Sequence, residues 1–247
     1  MKAFVSFTTN NHYCKLTEIM IESVHLFSKY KIILYCINFD KPIYYNKYPN
    51  LICKTIEKSS DVNIYYMKPK IICDAIINMN VTNGIYIEAD DILNYNIDHL
   101  FNQCNNIKNY PLCPIHPRDP NNQQVIMNKL DVKYKSMPYV HAHIIFSYTC
   151  YEFINEWYKT CIDLGNIGLN WDETILNVLL WKYNNQDYIT KSYDPYFTCV
   201  YDFDSYKEKY PEYANLQFEE IMMFHGCKNY NEAKKILNIL KNIYINE

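Results

Sequence analysis

Glycine is scarce in this chain, since only 4 of its 247 residues are glycine. Gly84 is the first of them, so no glycine-rich phosphate loop lies near the N-terminus. Such a loop is typical of many phosphate-binding enzymes, because glycine lets backbone N–H groups approach a phosphate closely. Its absence argues against a nucleotidyltransferase, a class that otherwise suits an α/β chain rich in carboxylates.

The chain also has no excess of basic residues, no closely spaced cysteines and no long apolar segment. Lys and Arg number 24 against 27 Asp and Glu, so no binding of nucleic acid is expected. The 10 cysteines include no C-x-x-C pair, which predicts buried free thiols rather than a zinc or redox motif. No segment approaches about 18 uncharged apolar residues, and the N-terminus lacks the apolar core of a secretory signal. We therefore expect a soluble, cytoplasmic protein without a transmembrane segment.

Apolar residues make up 49% of the chain and charged residues 21%, enough to bury one large core. Apolar runs predict the strands Ala3–Phe7, Ile32–Ile37, Leu51–Ile56, Gly84–Glu88 and His141–Phe146. Helical spacing predicts helices through Leu16 to Phe27, from Pro69 to Asn83-Gly84, from Ile97 to Phe101, and through Phe153, Ile175 and Ala233. A Pro- and His-containing stretch from Pro111 to Pro120 and then an Asn/Gln-rich loop are expected before the strand at His141. This order predicts a single-domain α/β fold with a mostly parallel central sheet flanked by helices.

Three carboxylates lie within four residues at the end of the predicted strand Gly84–Glu88, namely Glu88, Asp90 and Asp91. Ligands of open α/β sheets bind outside the carboxyl ends of the strands. Hard divalent cations such as Mg²⁺ and Mn²⁺ prefer oxygen ligands, and Mg²⁺ is often held by one or two carboxylates plus substrate phosphates. Glu88 and Asp90 suit that task. The alternative is an acidic turn in which Asp91 caps the next helix.

The segment Tyr86–Ile92, followed by Asn96–Phe101, resembles the D-x-D region of GT-A fold glycosyltransferases, whose pattern reads roughly YLDADxxxxxxIDxLF. In that family the carboxylates bind Mn²⁺ or Mg²⁺, which in turn holds the diphosphate of a nucleotide sugar. The resemblance implies a GT-A, Rossmann-like fold and metal binding by Glu88 and Asp90. Asp90 matches the pattern, whereas Glu88 replaces its first Asp.

The segment Met223–Lys228 is similar to the His-Gly-x-Lys segment of the glycogenin and galactosyltransferase group. In that group the histidine completes the metal site and the lysine contacts the diphosphate, which implies these roles for His225 and Lys228. The usual Lys-Pro-Trp ending is missing and the spacing is compressed. The alternative for His225 is a purely structural role.

Two further segments carry the resemblance toward the N-terminus. In related enzymes, a basic residue just before the helix that precedes the acidic strand often faces the donor phosphates. The resemblance therefore implies this role for Lys68 or Lys70. In the family, the opening strand and the loop after it hold the nucleotide base. The resemblance of Phe4–Asn10 to this segment implies that Thr8, Thr9 and Asn10 lie near the base or ribose. The alternatives are a solvated helix start for the lysines and a polar strand-to-helix turn for the other three.

The segment Asn170–Asn177 resembles the DQDxLN helix start of the same group. The match implies that Asp172 lies beside the anomeric carbon of the sugar, with Glu173 as its neighbour. Both are candidate catalytic residues. The alternative is that Asp172 caps the helix that follows, because Asp is favoured at a helix start.

The segment Val140–Ser147 occupies the place of the family strand that lines the donor sugar, although its Asn-Ser-Gly core is absent. On a strand, His141 and His143 would lie on one side, because side chains alternate with a period of two. They are either polar pocket residues or part of a second metal site.

Together these segments predict a metal-dependent glycosyltransferase that moves a sugar from a nucleotide-diphosphate donor, expected to be a UDP-sugar, to a hydroxyl of a glycan, glycoprotein or glycolipid. The donor would bind to residues 1–100 and the acceptor to residues 101–247. If the reaction inverts the anomeric centre, Asp172 or Glu173 acts as the base, whereas the resemblance favours retention. The alternatives are a non-catalytic nucleotide-sugar or glycan-binding module and a nucleotidyltransferase.

Overall fold

The computed structural model describes residues 1–106, 109–116, 123–183, 197–199, 215, 217, 220–227 and 229–245. Within these residues the strands are β1 (Lys2–Thr9), β2 (Lys31–Ile37), β3 (Leu51–Ile56), β4 (Asn83–Tyr86), β5 (Ile92–Leu93), β6 (Ile145–Ser147), β7 (Phe197–Cys199) and β8 (Met223–His225). The α-helices are α1 (His12–Phe27), α2 (Met67–Ile77), α3 (Gln123–Lys129), α4 (Tyr151–Gly165), α5 (Asp172–Tyr183) and α6 (Tyr230–Ile245). Short 3₁₀ segments cover Tyr45–Lys47, Ile64–Tyr66, Asp98–Asn106 and Tyr148–Cys150.

The central sheet has five strands in the order β3-β2-β1-β4-β6. Strands β2 and β3 are parallel, as are β1 and β4, whereas β6 is antiparallel to β4. A second, three-stranded sheet has the order β5-β8-β7. The predicted mixed α/β fold with a mostly parallel central sheet flanked by helices is therefore confirmed.

The chain forms two compact units, each made of three separate segments. Unit 1 comprises Met1–Val5, Glu57–Tyr86 and Leu100–Pro195. Unit 2 comprises Ser6–Ile56, Ile87–His99 and Tyr196–Glu247. No helix in the described part of the chain has the length and apolar character needed to cross a membrane.

In unit 1, helix α2 packs against α4. The buried indole N–H of Trp157 in α4 donates to the carbonyl oxygen of Asp172 at 2.8 Å, which fixes the start of α5. Gly84 in β4 lies opposite Phe146 in β6, and the phenyl ring fills the space that a Cβ would need. The close approach of this ring explains why β4 contains a glycine.

In unit 2, helices α1 and α6 pack against each other, and both also contact β5. Their shared core is formed by apolar side chains of α1, β5, β8 and α6, among them Leu16, Ile19, Ile92, Phe224, Leu237 and Leu240. The hydroxyl of Ser23 in α1 accepts a hydrogen bond from the N–H of Leu93 at 3.0 Å. These contacts hold β5 directly after the acidic stretch.

Several predicted boundaries are wrong. Helix α2 ends at Ile77, not at Asn83-Gly84, because the chain turns at Asn80 with a φ of 55° and the latter pair begins β4. The predicted loop between Pro120 and His141 contains α3. The predicted strand His141–Phe146 is replaced by β6, which begins only at Ile145.

The late start of β6 has a physical cause in helix α5. The Asn177 side chain accepts from the N–H of Val140 at 2.7 Å and donates to its carbonyl oxygen at 2.8 Å. One turn earlier on the same helix, the Glu173 carboxylate accepts from the N–H of Ala142 at 2.9 Å. Helix side chains therefore satisfy backbone groups that a neighbouring strand would otherwise bind.

Candidate functional site

The acidic stretch and His225 come together through the short antiparallel pair of β5 and β8. Ile92 lies opposite Phe224, so the register places Asp91 opposite His225. The His225 Nδ1 lies 2.8 Å from Asp91 Oδ1 and 3.9 Å from Glu88 Oε2. The carbonyl oxygen of Asp90 accepts from the N–H of Cys227 at 3.2 Å. We call Glu88, Asp90, Asp91 and His225 the acidic cluster.

Asp91 is a member of this cluster that the sequence did not suggest as a functional residue. Its side chain is only 1% exposed. One carboxylate oxygen accepts from the N–H of Glu88 at 2.5 Å, while the other contacts His225. The next residue begins β5, so Asp91 caps no helix. Its buried position between the turn and His225 emerges only from the pairing of β5 with β8.

The acidic cluster places three carboxylates beside one imidazole, and these neighbours shift the pKa values of Asp90 and His225. Burial, followed by the nearby charges of Glu88 and Asp91, raises the pKa of Asp90 to about 6. Burial alone would lower the pKa of His225, but the hydrogen bond to Asp91 and the surrounding carboxylates raise it to about 10. Ligand atoms of Asp90, Asp91 and His225 lie within 4.8 Å of one another. These buried groups could hold a metal ion, which would offset the excess negative charge.

Unit 1 contains a buried ion pair between α2 and α5. The Lys68 ammonium lies 3.2 Å from Asp172 Oδ2, and the two side chains are 7% and 11% exposed. The same ammonium lies 5.4 Å from the centre of the Tyr86 ring. Lys70 is half-buried and donates to the carbonyl oxygen of Glu57 at 3.3 Å. Of the two candidate lysines, Lys68 is the buried one.

Glu173, the other carboxylate at the start of α5, lies near two histidines. Its Oε2 is 3.7 Å from His141 Nδ1, and the rings of His116 and His141 have centroids 4.0 Å apart. Ligand atoms of these three residues lie within 4.8 Å of one another. Burial lowers the pKa of His141 to about 3, although Glu173 opposes this effect. At neutral pH the imidazole is therefore uncharged. We call His116, His141 and Glu173 the histidine cluster.

The N-terminal candidates follow one another at the end of β1 in unit 2. Thr8 is buried, and its hydroxyl oxygen accepts from the Thr17 hydroxyl in α1 at 3.0 Å. Thr9 ends the strand, and its carbonyl oxygen accepts from the N–H of Asn11 at 2.8 Å. Asn10 is exposed in the turn that follows. Thr8 is thus already engaged in packing α1 on the strand, whereas Asn10 is accessible.

The structure thus groups the sequence candidates into separate sets. Glu88, Asp90 and His225 all belong to the acidic cluster, and their role as metal ligands stays a prediction. Lys68 contacts Asp172. Lys228 lies outside the described residues.

Comparison with protein-family models finds none that matches the chain, and comparison with curated proteins finds no match. A function for this chain is therefore inferred from its own residues and their geometry.

Proposed function

We propose that this chain is a metal-dependent glycosyltransferase that uses a nucleotide-diphosphate sugar, a UDP-sugar by resemblance, and glycosylates a hydroxyl of a glycan, glycoprotein or glycolipid. The observation that carries the proposal is the acidic cluster. His225 lies 134 residues from Asp91 in the chain, yet its imidazole contacts that carboxylate. The two segments that resemble glycosyltransferases, the acidic stretch and Met223–Lys228, are far apart in the chain but contribute neighbouring side chains.

The cluster offers ligands that suit Mn²⁺ or Mg²⁺, because carboxylate oxygens match the preference of both ions. His225 adds one imidazole, which Mn²⁺, a transition metal, accepts more readily than Mg²⁺ does. A bound ion would act as a Lewis acid that stabilises the departing diphosphate. Asp91 has a different task, since it accepts a hydrogen bond from the turn and faces His225 Nδ1. A carboxylate that orients a metal-binding histidine fixes its ring and increases its basicity. Asp91 is therefore a positioning residue in this proposal.

The surroundings of Asp172 and Glu173 favour retention over inversion. Asp172 is ion-paired with buried Lys68, and Glu173 accepts the N–H of Ala142. Both interactions stabilise the ionised carboxylate and so reduce its tendency to take a proton from an acceptor hydroxyl. In a retaining reaction these side chains would position the substrate or stabilise charge.

The test is an assay of UDP release and sugar transfer with a panel of UDP-sugars, in Mn²⁺ and in EDTA. We expect turnover that requires the ion. Asp90→Ala should lower the rate by at least about 100-fold and His225→Ala less severely, since losing even an outer-shell partner of a metal costs about 10- to 100-fold. Asp40→Ala and His99→Ala are matched controls, because both side chains are exposed and lie outside the acidic cluster.

Circular dichroism should show that all four variants are folded. Wild-type rates in Asp90→Ala, or equal turnover in EDTA, would contradict the proposed site. Nucleotide-sugar binding without any sugar release would instead identify a non-catalytic binding module and overturn the transferase proposal.

A further inference from the structure

We propose that the histidine cluster in unit 1 is a second metal site, specific for Zn²⁺ and formed by His116, His141 and Glu173. This inference shares Glu173 with the proposed transferase but does not depend on transferase activity, because the site lies outside the acidic cluster and is tested by ion binding alone. Three observations support it: the proximity of the three side chains, the hydrogen bonds that hold their segments in place, and the chemistry of the ligands.

The two histidines are brought together by a short antiparallel contact between their segments. Ile115 forms an isolated β-bridge with Val140. The N–H of His116 donates to the carbonyl oxygen of Tyr139 at 2.8 Å, and the N–H of His141 donates to that of Pro114 at 2.9 Å. Each histidine directly follows a bridge residue, so both side chains leave on the opposite face from the bridge pair. The ring centroids accordingly lie 4.0 Å apart.

Helix α5 supplies the third ligand and holds it in place. Glu173 Oε2 accepts the N–H of Ala142 at 2.9 Å and lies 3.7 Å from His141 Nδ1. One turn further along, Asn177 binds both backbone groups of Val140. The carboxylate and the segment that carries His141 are therefore fixed to each other, as expected for a preorganised site.

The separation of His141 Nδ1 and Glu173 Oε2 is close to the spacing that a zinc ion needs. With metal–ligand bonds of about 2.0–2.2 Å, tetrahedral geometry puts ligand atoms about 3.3–3.6 Å apart. The 3.7 Å between His141 Nδ1 and Glu173 Oε2 nearly meets this spacing, and all three ligand atoms lie within 4.8 Å. The other two separations are at most 4.8 Å, so the side chains would move closer together on binding the ion.

The ligand types distinguish this site from the acidic cluster. Two imidazoles and one carboxylate are a set found at catalytic zinc sites, which keep a fourth position for water or substrate. Mg²⁺ and Ca²⁺ prefer sites built from oxygen, whereas imidazole favours transition metals such as Zn²⁺. The Glu173 side chain is 28% exposed and the His141 side chain 9% exposed.

The experiment is a titration of the EDTA-treated, full-length protein with Zn²⁺ by calorimetry, repeated with Co²⁺ as a spectroscopic probe. We expect one Zn²⁺ per chain at this site and a visible Co²⁺ spectrum without the thiolate charge-transfer band of cysteine ligands. His116→Ala should weaken Zn²⁺ binding by at least about 100-fold, since even outer-shell changes typically cost about 10- to 100-fold. Glu173→Gln should weaken it as well, and its amide oxygen can still accept the N–H of Ala142.

His99→Ala serves as the control and should bind Zn²⁺ as the wild type does, because His99 is exposed and lies outside both clusters. In crystals soaked with Zn²⁺, anomalous diffraction at the zinc edge should place the ion between the three side chains. Unchanged Zn²⁺ affinity in both His116→Ala and Glu173→Gln, a thiolate band with Co²⁺, or zinc found only at His225 would each overturn the proposal.

Discussion

Asp90 and Asp91 are adjacent in the chain, but their carboxylates have different surroundings. Asp91 accepts a backbone hydrogen bond and contacts His225, so its charge is compensated within the protein. Asp90 is also buried, and its raised pKa shows that burial and the neighbouring carboxylates oppose its ionisation. The ion-free protein therefore carries a charge at Asp90 that destabilises the fold, as is common at functional sites.

This imbalance predicts that Asp90→Asn stabilises the ion-free protein. The folded-state pKa of about 6 exceeds the ordinary value of 3.8, so Asp90 costs the wild type stability as the pH rises from about 4 to about 6. In EDTA at pH 7.5 the variant should unfold a few degrees higher than the wild type, which corresponds to roughly 1–3 kcal/mol. At pH 3.5 the two should unfold at the same temperature.

Excess Mn²⁺ should reverse the order, because only the wild type keeps the carboxylate and gains stability by binding the ion. Asp40→Asn is the matched control, since Asp40 is exposed and should leave both unfolding temperatures unchanged. A variant that is less stable than the wild type in EDTA at pH 7.5 would show that Asp90 is a structural carboxylate.

At the scale of elements, apolar runs predict strands well where a neighbouring strand completes the backbone hydrogen bonds. The predicted bounds of β1, β2 and β3 lie within two residues of those in the structure. Strands β5 and β8 have two and three residues, too few to show any periodicity. The segment that begins at Val140 has a strand-like pattern, but the N–H groups of Val140 and Ala142 donate to side chains of α5, which no local pattern reveals.

The interaction of α5 with this segment predicts a large loss of stability in Asn177→Ala. The fully buried amide makes two hydrogen bonds to Val140 and one to the carbonyl oxygen of Glu173. Truncation leaves buried backbone groups unsatisfied, and each such group costs about 1–3 kcal/mol. We expect a loss of about 2–4 kcal/mol in urea denaturation, compared with less than about 1 kcal/mol for Lys182→Ala on the exposed face of α5. Equal stabilities of the two variants would contradict this role of Asn177.

At the scale of the whole molecule, the candidate sites are assembled from segments that are distant in sequence. The carboxylates of the acidic stretch are visible locally, and the resemblance to glycosyltransferases adds His225 to them. The histidine cluster needs His116, His141 and Glu173 from three segments, and no short spacing links them. Sequence analysis singled out His141 and Glu173 for separate reasons but gave no signal for His116. Tertiary structure alone shows that these side chains converge.

The assignment of Mn²⁺ to the acidic cluster and Zn²⁺ to the histidine cluster predicts that each ion protects a different unit in hydrogen–deuterium exchange. An ion at about 100 times its dissociation constant stabilises the folded state by about 2.7 kcal/mol. Amides that exchange only when the site opens should therefore exchange about a hundredfold more slowly.

Mn²⁺ should protect residues 88–93 and 222–227 in unit 2, where the N–H groups of Asp91 and Cys227 donate to the carbonyl oxygens of Glu88 and Asp90. Zn²⁺ should protect residues 112–116 and 139–142 in unit 1, where the N–H groups of His116, His141 and Ala142 lie at the ligands. His116→Ala should remove the Zn²⁺ protection of residues 112–116 and 139–142 and keep the Mn²⁺ protection of residues 88–93 and 222–227. Protection of residues 139–142 by Mn²⁺ alone would contradict the assignment of the two ions.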